Sequence, residues 1–155
     1  MLDPTLLNAA TTGANKIPIL DANGRLDPST MPAGTGQDAA TLPATEALSA
    51  GNLVNVRNSG GTPSVRKADA TAEGKEANGF VIAAAASGAN ATVFFEGRIT
   101  GLTGLTVGAR YYLGTTPGAA VTTAPTTAGN VVQFIGVAVS ATTIDYEGGE
   151  PITVA

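Results

Sequence analysis

Proline interrupts the first third of this chain at Pro4, Pro18, Pro28, Pro32 and Pro43, with glycine at 13, 24, 34 and 36. Each proline fixes φ and removes a backbone donor, so no long helix and no central strand can run through such a stretch. Residues 1–49 are therefore expected to form an extended arm, followed by a compact β-domain over 50–155. Within the arm, Lys16-Ile17-Pro18-Ile19-Leu20-Asp21-Ala22-Asn23-Gly24-Arg25-Leu26-Asp27 joins an apolar anchor to a turn signal. Ile17, Ile19 and Leu20 are the anchor, and Asn23 and Gly24 tolerate the positive φ of a turn. Leu26 and Met31 present apolar groups again before Pro32 ends the segment. A segment this short cannot bury these groups by itself, so it packs on its own domain or lies on a neighbour. A short helical turn fits Thr45 to Leu48.

From Ala50 the pattern becomes strand, turn, strand. Asn52 to Arg57 reads as an apolar-rich strand, Asn58-Ser59-Gly60-Gly61 as a hairpin turn, and Pro63 to Lys67 as the return. Ala68 to Asn78 reads as a polar excursion. Phe80 to Ala86 has the alanine content of a helix. Gly79 before it and Ser87-Gly88-Ala89-Asn90 after it favour a strand that forms a hairpin with Ala91–Glu96. Gly97 to Gly108 reads as loop and Ala109 to Leu113 as a short aromatic strand. Val131 to Ser140 is the most strongly β-forming run, apolar on both faces and so expected at the centre of its sheet. Thr142–Tyr146 and Ile152–Val154 supply late strands around the Glu147–Glu150 turn. Many short strands with regular turns predict an all-β small sandwich or barrel.

The side chains available for its core are few. Charged residues make up 13% of the chain and aromatic residues 5%, with no Trp, His or Cys. Small side chains bury little apolar area each, so the core is thin, and oligomerisation is a common remedy for that. The formal net charge is −4 and the basic residues are scattered from Lys16 to Arg110, which argues against nucleic acid as a partner. Absent cysteine excludes disulfides and thiolate metal sites. Absent histidine removes the commonest imidazole ligand and general base. No cofactor and no metal are expected. Met1-Leu2-Asp3-Pro4 lacks the basic and apolar segments of a secretion signal, and no apolar run reaches the roughly 18 residues of a membrane span. The expectation is a soluble chain made in a cytoplasm, with no membrane partner.

No arrangement of residues points firmly to catalysis. Glu73 with Glu76, and Glu147 with Glu150, are carboxylate pairs of the kind glycoside cleavage uses, but they sit in polar loops where solvated charge is the default. Asp21 to Asp27 lacks the closing glutamate of a calcium loop. Gly101 to Gly108 is followed by no Lys-Ser or Lys-Thr pair of a phosphate loop. Tyr111 and Tyr112 are neighbours on a strand and so point to opposite faces. One ring packs inward and the other lies at an interface, the alternative being a sugar-stacking platform.

Two stretches resemble tailed-bacteriophage virion proteins. Asn15-Lys16-Ile17-Pro18-Ile19-Leu20-Asp21-Ala22-Asn23-Gly24-Arg25-Leu26-Asp27-Pro28-Ser29-Thr30-Met31-Pro32 is similar to a segment near the start of phage head-decoration, head-fibre and tail-fibre proteins. Gly108 to Thr143, carrying Gly108–Leu113, Thr116-Pro117-Gly118 and Val132–Ala138, resembles a small β-domain of tailed-phage structural proteins. The resemblance implies a homotrimeric, non-enzymatic protein on the virion surface, made in the host bacterium, with the major capsid protein as its partner. Ile17, Ile19, Leu20, Leu26 and Met31 are then the arm's contacts, and Tyr111 and Tyr112 candidate interface aromatics. Since the chain has no repetitive shaft and no coiled coil, a capsid-decorating protein is expected over a complete tail fibre. A tail or baseplate component, or a module binding host glycan through Tyr111, Tyr112 or Tyr146, is the alternative.

Overall fold

The computed structural model of the protein describes residues 38–155, so the arm residues Ile17, Ile19, Leu20, Leu26 and Met31 lie outside the described part. The regular structure of the described residues is entirely β. In chain order the strands are β1 (Ala39–Pro43), β2 (Leu53–Ser59), β3 (Thr62–Lys67), β4 (Gly79–Phe80), β5 (Asn90–Phe94) and β6 (Gly97–Ile99). They continue as β7 (Arg110–Leu113), β8 (Ala120–Val121), β9 (Val131–Val132), β10 (Phe134–Ser140), β11 (Thr143–Tyr146) and β12 (Ile152–Thr153). One sheet has the order β1-β5-β4-β2-β3 and a second β6-β11-β10-β7-β8, while β12 and β9 form a separate pair. The all-β class and the sandwich expected from the turn spacing are what the chain adopts.

The β2–β3 hairpin shows why the local sequence suffices there. Gly60 and Gly61 close it with φ of 62° and 89°, the positive values that match a two-residue turn to the twist of its strands. The Asn58 side-chain oxygen accepts from the Gly61 N–H at 2.7 Å. From this turn the register runs through Asn58↔Pro63 and Val56↔Val65 to Val54↔Lys67. Alternation then sorts β2, sending Leu53 into one apolar layer and Val54 and Val56 into another.

Those two layers lie on opposite sides of the first sheet. Between the sheets, Leu53, Phe80 and Phe94 meet Ile99, Tyr111, Leu113, Ile135, Ile144 and Tyr146 of the second sheet. On the far side, Val54, Val65, Val81 and Val93 pack with Ala44 and Leu48. Leu48 and Ala85 form an antiparallel bridge there, and the Ala44 N–H donates to the Ala89 carbonyl at 2.9 Å. A parallel bridge between Ala44 and Val65 brings the chain just after β1 onto β3, the opposite edge of the same sheet. The first sheet is thus curled and buried on both faces.

Several expected boundaries move. Residues 38–49 fall within the expected arm, yet β1 pairs along its whole length with β5 and Leu48 is 3% exposed. Residues 38–49 therefore belong with the β-domain. Pro43 is admitted because β1 is an end strand, where a missing N–H breaks no ladder. No helical turn forms at Thr45–Leu48, because the Leu48 N–H and carbonyl are committed to Ala85 across the layer. The strand expected over Phe80–Ala86 is cut to Gly79–Phe80 plus the Ala85 bridge, since the chain turns away to cover the valine layer. Inside the expected Gly97–Gly108 loop, β6 pairs with β11. Val131–Ser140 is split at Gln133 into β9 and β10, and β10 does take the central place in its sheet. Ile152–Thr153 pairs with Val131–Val132 rather than across the Glu147–Glu150 turn.

Gly136 makes the central strand workable. Its φ is 155° and a β-carbon there would lie 1.9 Å from the Asp145 carbonyl oxygen, at an irregularity where β10 shifts register against β7. Gly136→Ala should lower unfolding stability by about 2–4 kcal/mol in urea titration, through strain and displacement of β11. Tyr146 supplies a second test. Burial pushes its hydroxyl from the usual 10.0 up to about 12. The unfolded chain ionises first, so the stability from the neutral ring is complete below pH 10 and is lost as pH rises towards about 12. Tyr146→Phe should show a shallower alkaline decline than the parent when urea midpoints are measured across that window.

Candidate interaction face

The second sheet has a layer of core on one side, and strand alternation determines what stands on the other. In β7, Tyr111 and Leu113 face inward, leaving Arg110 and Tyr112 outward. In β11, Ile144 and Tyr146 face inward, leaving Thr143 and Asp145. Ile99 of β6 is inward and Arg98 outward. In β10 the irregularity at Ile135–Gly136 inserts an extra residue, so Phe134 and Val137 share the outer face although three positions apart. The register then aligns Arg98, Asp145, Val137 and Arg110 in one row across β6, β11, β10 and β7. A second row contains Phe134, Tyr112 and Val121.

These side chains hold one another only lightly. Arg98 Nε lies 3.6 Å from Asp145 Oδ1, with the two side chains 67% and 51% exposed, a pair worth about 0.2–1 kcal/mol. The Arg110 guanidinium sits 5.3 Å from the Phe134 ring centroid, a cation–π contact of about 0.5–1 kcal/mol at the surface. Tyr112 meets Phe134 edge-on, 6.0 Å between centroids at 68°. Val139 on the same strand is 44% exposed. Arginine, tyrosine and phenylalanine are the residue types enriched where proteins contact one another.

Of the aromatic pair named from the sequence, Tyr112 alone stands on this face. Tyr111 is a core residue at 5% exposure, its hydroxyl oxygen accepting from the Thr106 N–H at 3.0 Å. Tyr146 is likewise inside, 5.4 Å from the Phe80 ring. Neither offers a ring to a sugar. Arg98, Arg110, Phe134, Val137 and Asp145 were not singled out from the sequence. Strand alternation could have placed Arg110 and Asp145, but not the bulge or the register that bring all five together.

One buried amide braces the face from behind. Gln133, 3% exposed, accepts from the Ala77 N–H through Oε1 at 2.8 Å and donates Nε2–H to the Ala77 carbonyl at 2.9 Å. Its Nε2 also donates to the Gly149 carbonyl at 3.2 Å, and the Gly149 N–H returns to the Phe134 carbonyl at 2.8 Å. The side chain thus pairs with Ala77 as a neighbouring strand would, and it holds the Glu147–Glu150 loop beside Phe134.

Of the carboxylate pairs noted in the sequence, Glu73 and Glu76 make structural hydrogen bonds, and Glu147 and Glu150 are exposed on their turn. Glu73 accepts from the Thr153 hydroxyl, and Glu76 Oε1 from the Gly74 N–H at 2.9 Å. Burial raises the Asp69 carboxyl, but hydrogen bonds from Thr71 and Lys75 together outweigh it and hold the group below its usual value. Among the described residues no group of three or more acidic side chains is arranged to hold a metal ion. A cavity of about 240 Å³ lies where Gly51 and Leu53 face Ile99, Leu102, Pro117 and Ala120, smaller than the ~300–1,000 Å³ usual for small-molecule sites.

No protein-family model matches the sequence, and no curated protein matches it.

The role given to Gln133 has a measurable consequence. Gln133→Ala strands the Ala77 N–H away from solvent and leaves its carbonyl only the long Tyr146 hydroxyl contact at 3.5 Å, and the expected cost is about 2–4 kcal/mol, read from urea unfolding. A loss below about 0.5 kcal/mol would mean that the amide braces nothing.

Proposed function

We propose that the chain is a non-enzymatic virion structural protein of a tailed bacteriophage, a homotrimeric capsid-decorating protein that binds and stabilises the major capsid protein shell. The observation that carries this reading is the segment Asn15–Pro32, which resembles the leading segment of phage head-decoration and fibre proteins and presents Ile17, Ile19, Leu20, Leu26 and Met31 between prolines. Proline restricts such a segment before it binds, so less backbone entropy is lost when it lies along a partner. Several arms held by one oligomer would engage several capsid subunits at once, which multiplies weak contacts. The β-domain supports the same reading with an outer face built from Arg98, Arg110, Tyr112, Phe134 and Val137.

A tail or baseplate component would use the same parts, and the place of the protein in intact particles separates the two. Host-glycan binding would rest on Tyr112 alone, with Tyr111 and Tyr146 in the core.

The decisive truncation ends at Gln37, since cutting further would remove β1, which begins at Ala39. Deletion of residues 1–37 should leave the β-domain folded by circular dichroism while abolishing its co-sedimentation with capsids. Ile17→Asp with Leu20→Asp in the full chain should weaken that binding by roughly tenfold or more. Full particle binding by the truncated protein overturns the proposal.

A further inference from the structure

We infer that the outer face of the second sheet pairs with the same face of a second copy, about a twofold axis that lies between the two sheets and runs along β10. This inference rests on reading that face as a contact surface and is independent of where on a virion the protein resides. Charge complementarity selects this pairing. Across the sheet the row reads Arg98, Asp145, Val137, Arg110. An acid and a base therefore stand one strand to either side of an apolar residue, each at roughly 4.8 Å. Stacking a second copy on this row about an axis along β10 reverses left and right. Asp145 of each copy then faces Arg110 of the other, with Val137 on Val137 between the two ion pairs. Phe134, one row along the same strand, meets its own counterpart. Tyr112 falls towards the loop Glu147–Gly149, which hydrogen bonds to β10 at Ile135 and Phe134.

Other placements are penalised. An axis at right angles to the strands sets Arg98 on Arg98 and Arg110 on Arg110. Moving the axis onto β11 sets Asp145 on Asp145, and moving it halfway there sets Arg98 against Arg110. Like charges brought together at a contact select against these arrangements. In the favoured one, Asp145 keeps its own Arg98 at 3.6 Å and gains a second arginine from the partner, while Arg110 keeps its place over Phe134.

The patch is small. Four strands by about five residues cover roughly 300 Å², against the ~800 Å² per partner of stable complexes. The contact is therefore weak between free molecules and gains force where copies are already held close together. An isologous face serves a twofold axis, whereas a threefold axis needs two different patches on each copy. In a trimer, this face would join one trimer to the next.

The test uses the full chain and two charge reversals, Arg110→Asp and Asp145→Arg, at exposed positions. In sedimentation velocity up to about 1 mM, the parent should move towards twice its low-concentration mass, and added salt should weaken that step. Each variant alone brings like charges together at both contacts and should lose association by roughly tenfold or more. An equimolar mixture restores both opposite-charge contacts and should recover association between one copy of each kind. Recovery on mixing also shows that both variants are folded. The inference is overturned if the parent does not associate, if either variant associates like the parent, or if the mixture stays at the mass of its parts. Particle binding is a separate readout, so a failure to bind capsids leaves this outcome unaffected.

Discussion

Between the two sheets stand four aromatic rings, Phe80, Phe94, Tyr111 and Tyr146, and Phe80 touches two of the others, 5.7 Å from Phe94 and 5.4 Å from Tyr146. Much of the rest of that layer is alanine and leucine or isoleucine side chains. A buried ring contributes about 1.5–3 kcal/mol and each aromatic pair about 0.5–1.5 kcal/mol more, so the attachment of one sheet to the other is concentrated at this point. Phe80 belongs to a strand of two residues. That strand is held in place by β2 and β5 on either side, which is how so little regular structure can anchor so much of the core.

The valine layer on the far side of the first sheet has no such centre. Val54, Val65, Val81 and Val93 are each fully buried, and stiff branched side chains suit a pleated surface. They require a lid, which the segments around Leu48 and Ala85 provide. Burying both faces of one sheet leaves backbone and amide groups away from water, and these must be paired internally. Asn55 donates to the Glu76 carbonyl at 2.8 Å and accepts from Arg66 Nε at 3.0 Å, while Gln133 serves Ala77 and Gly149. Among the described residues no buried side-chain nitrogen or oxygen lacks a partner.

The second sheet differs because its other face carries no layer of the described chain. With the inner positions committed to the core, the outer ones are free to carry Arg98, Arg110, Tyr112, Phe134, Val137 and Asp145. The exposed face is in this sense a consequence of the packing. The bulge at Gly136 that lets β10 pair with both neighbours also turns Phe134 and Val137 to the same side. The brace from Gln133 fixes the loop next to them.

Much of the fold was legible from local chemistry. Positive-φ glycines beside Asn58 announce the β2–β3 hairpin, branched residues announce β10 and its central place, and Pro117-Gly118 closes the strand that ends at Leu113. Such signals act over a few residues, where backbone sterics decide the outcome. The domain start, the shortness of β4 and the inward turn of Tyr111 were not legible in this way, because each depends on a partner far along the chain: β5 for β1, Leu48 for Ala85, and the inter-sheet core for Tyr111. The row that joins Arg98 to Arg110 lies beyond local reading for the same reason. The amino-acid sequence by itself determined that this chain is built of short strands and where they turn. Tertiary structure alone decided which face of each strand is covered, since burial is a property of what packs against a residue and not of the residue itself.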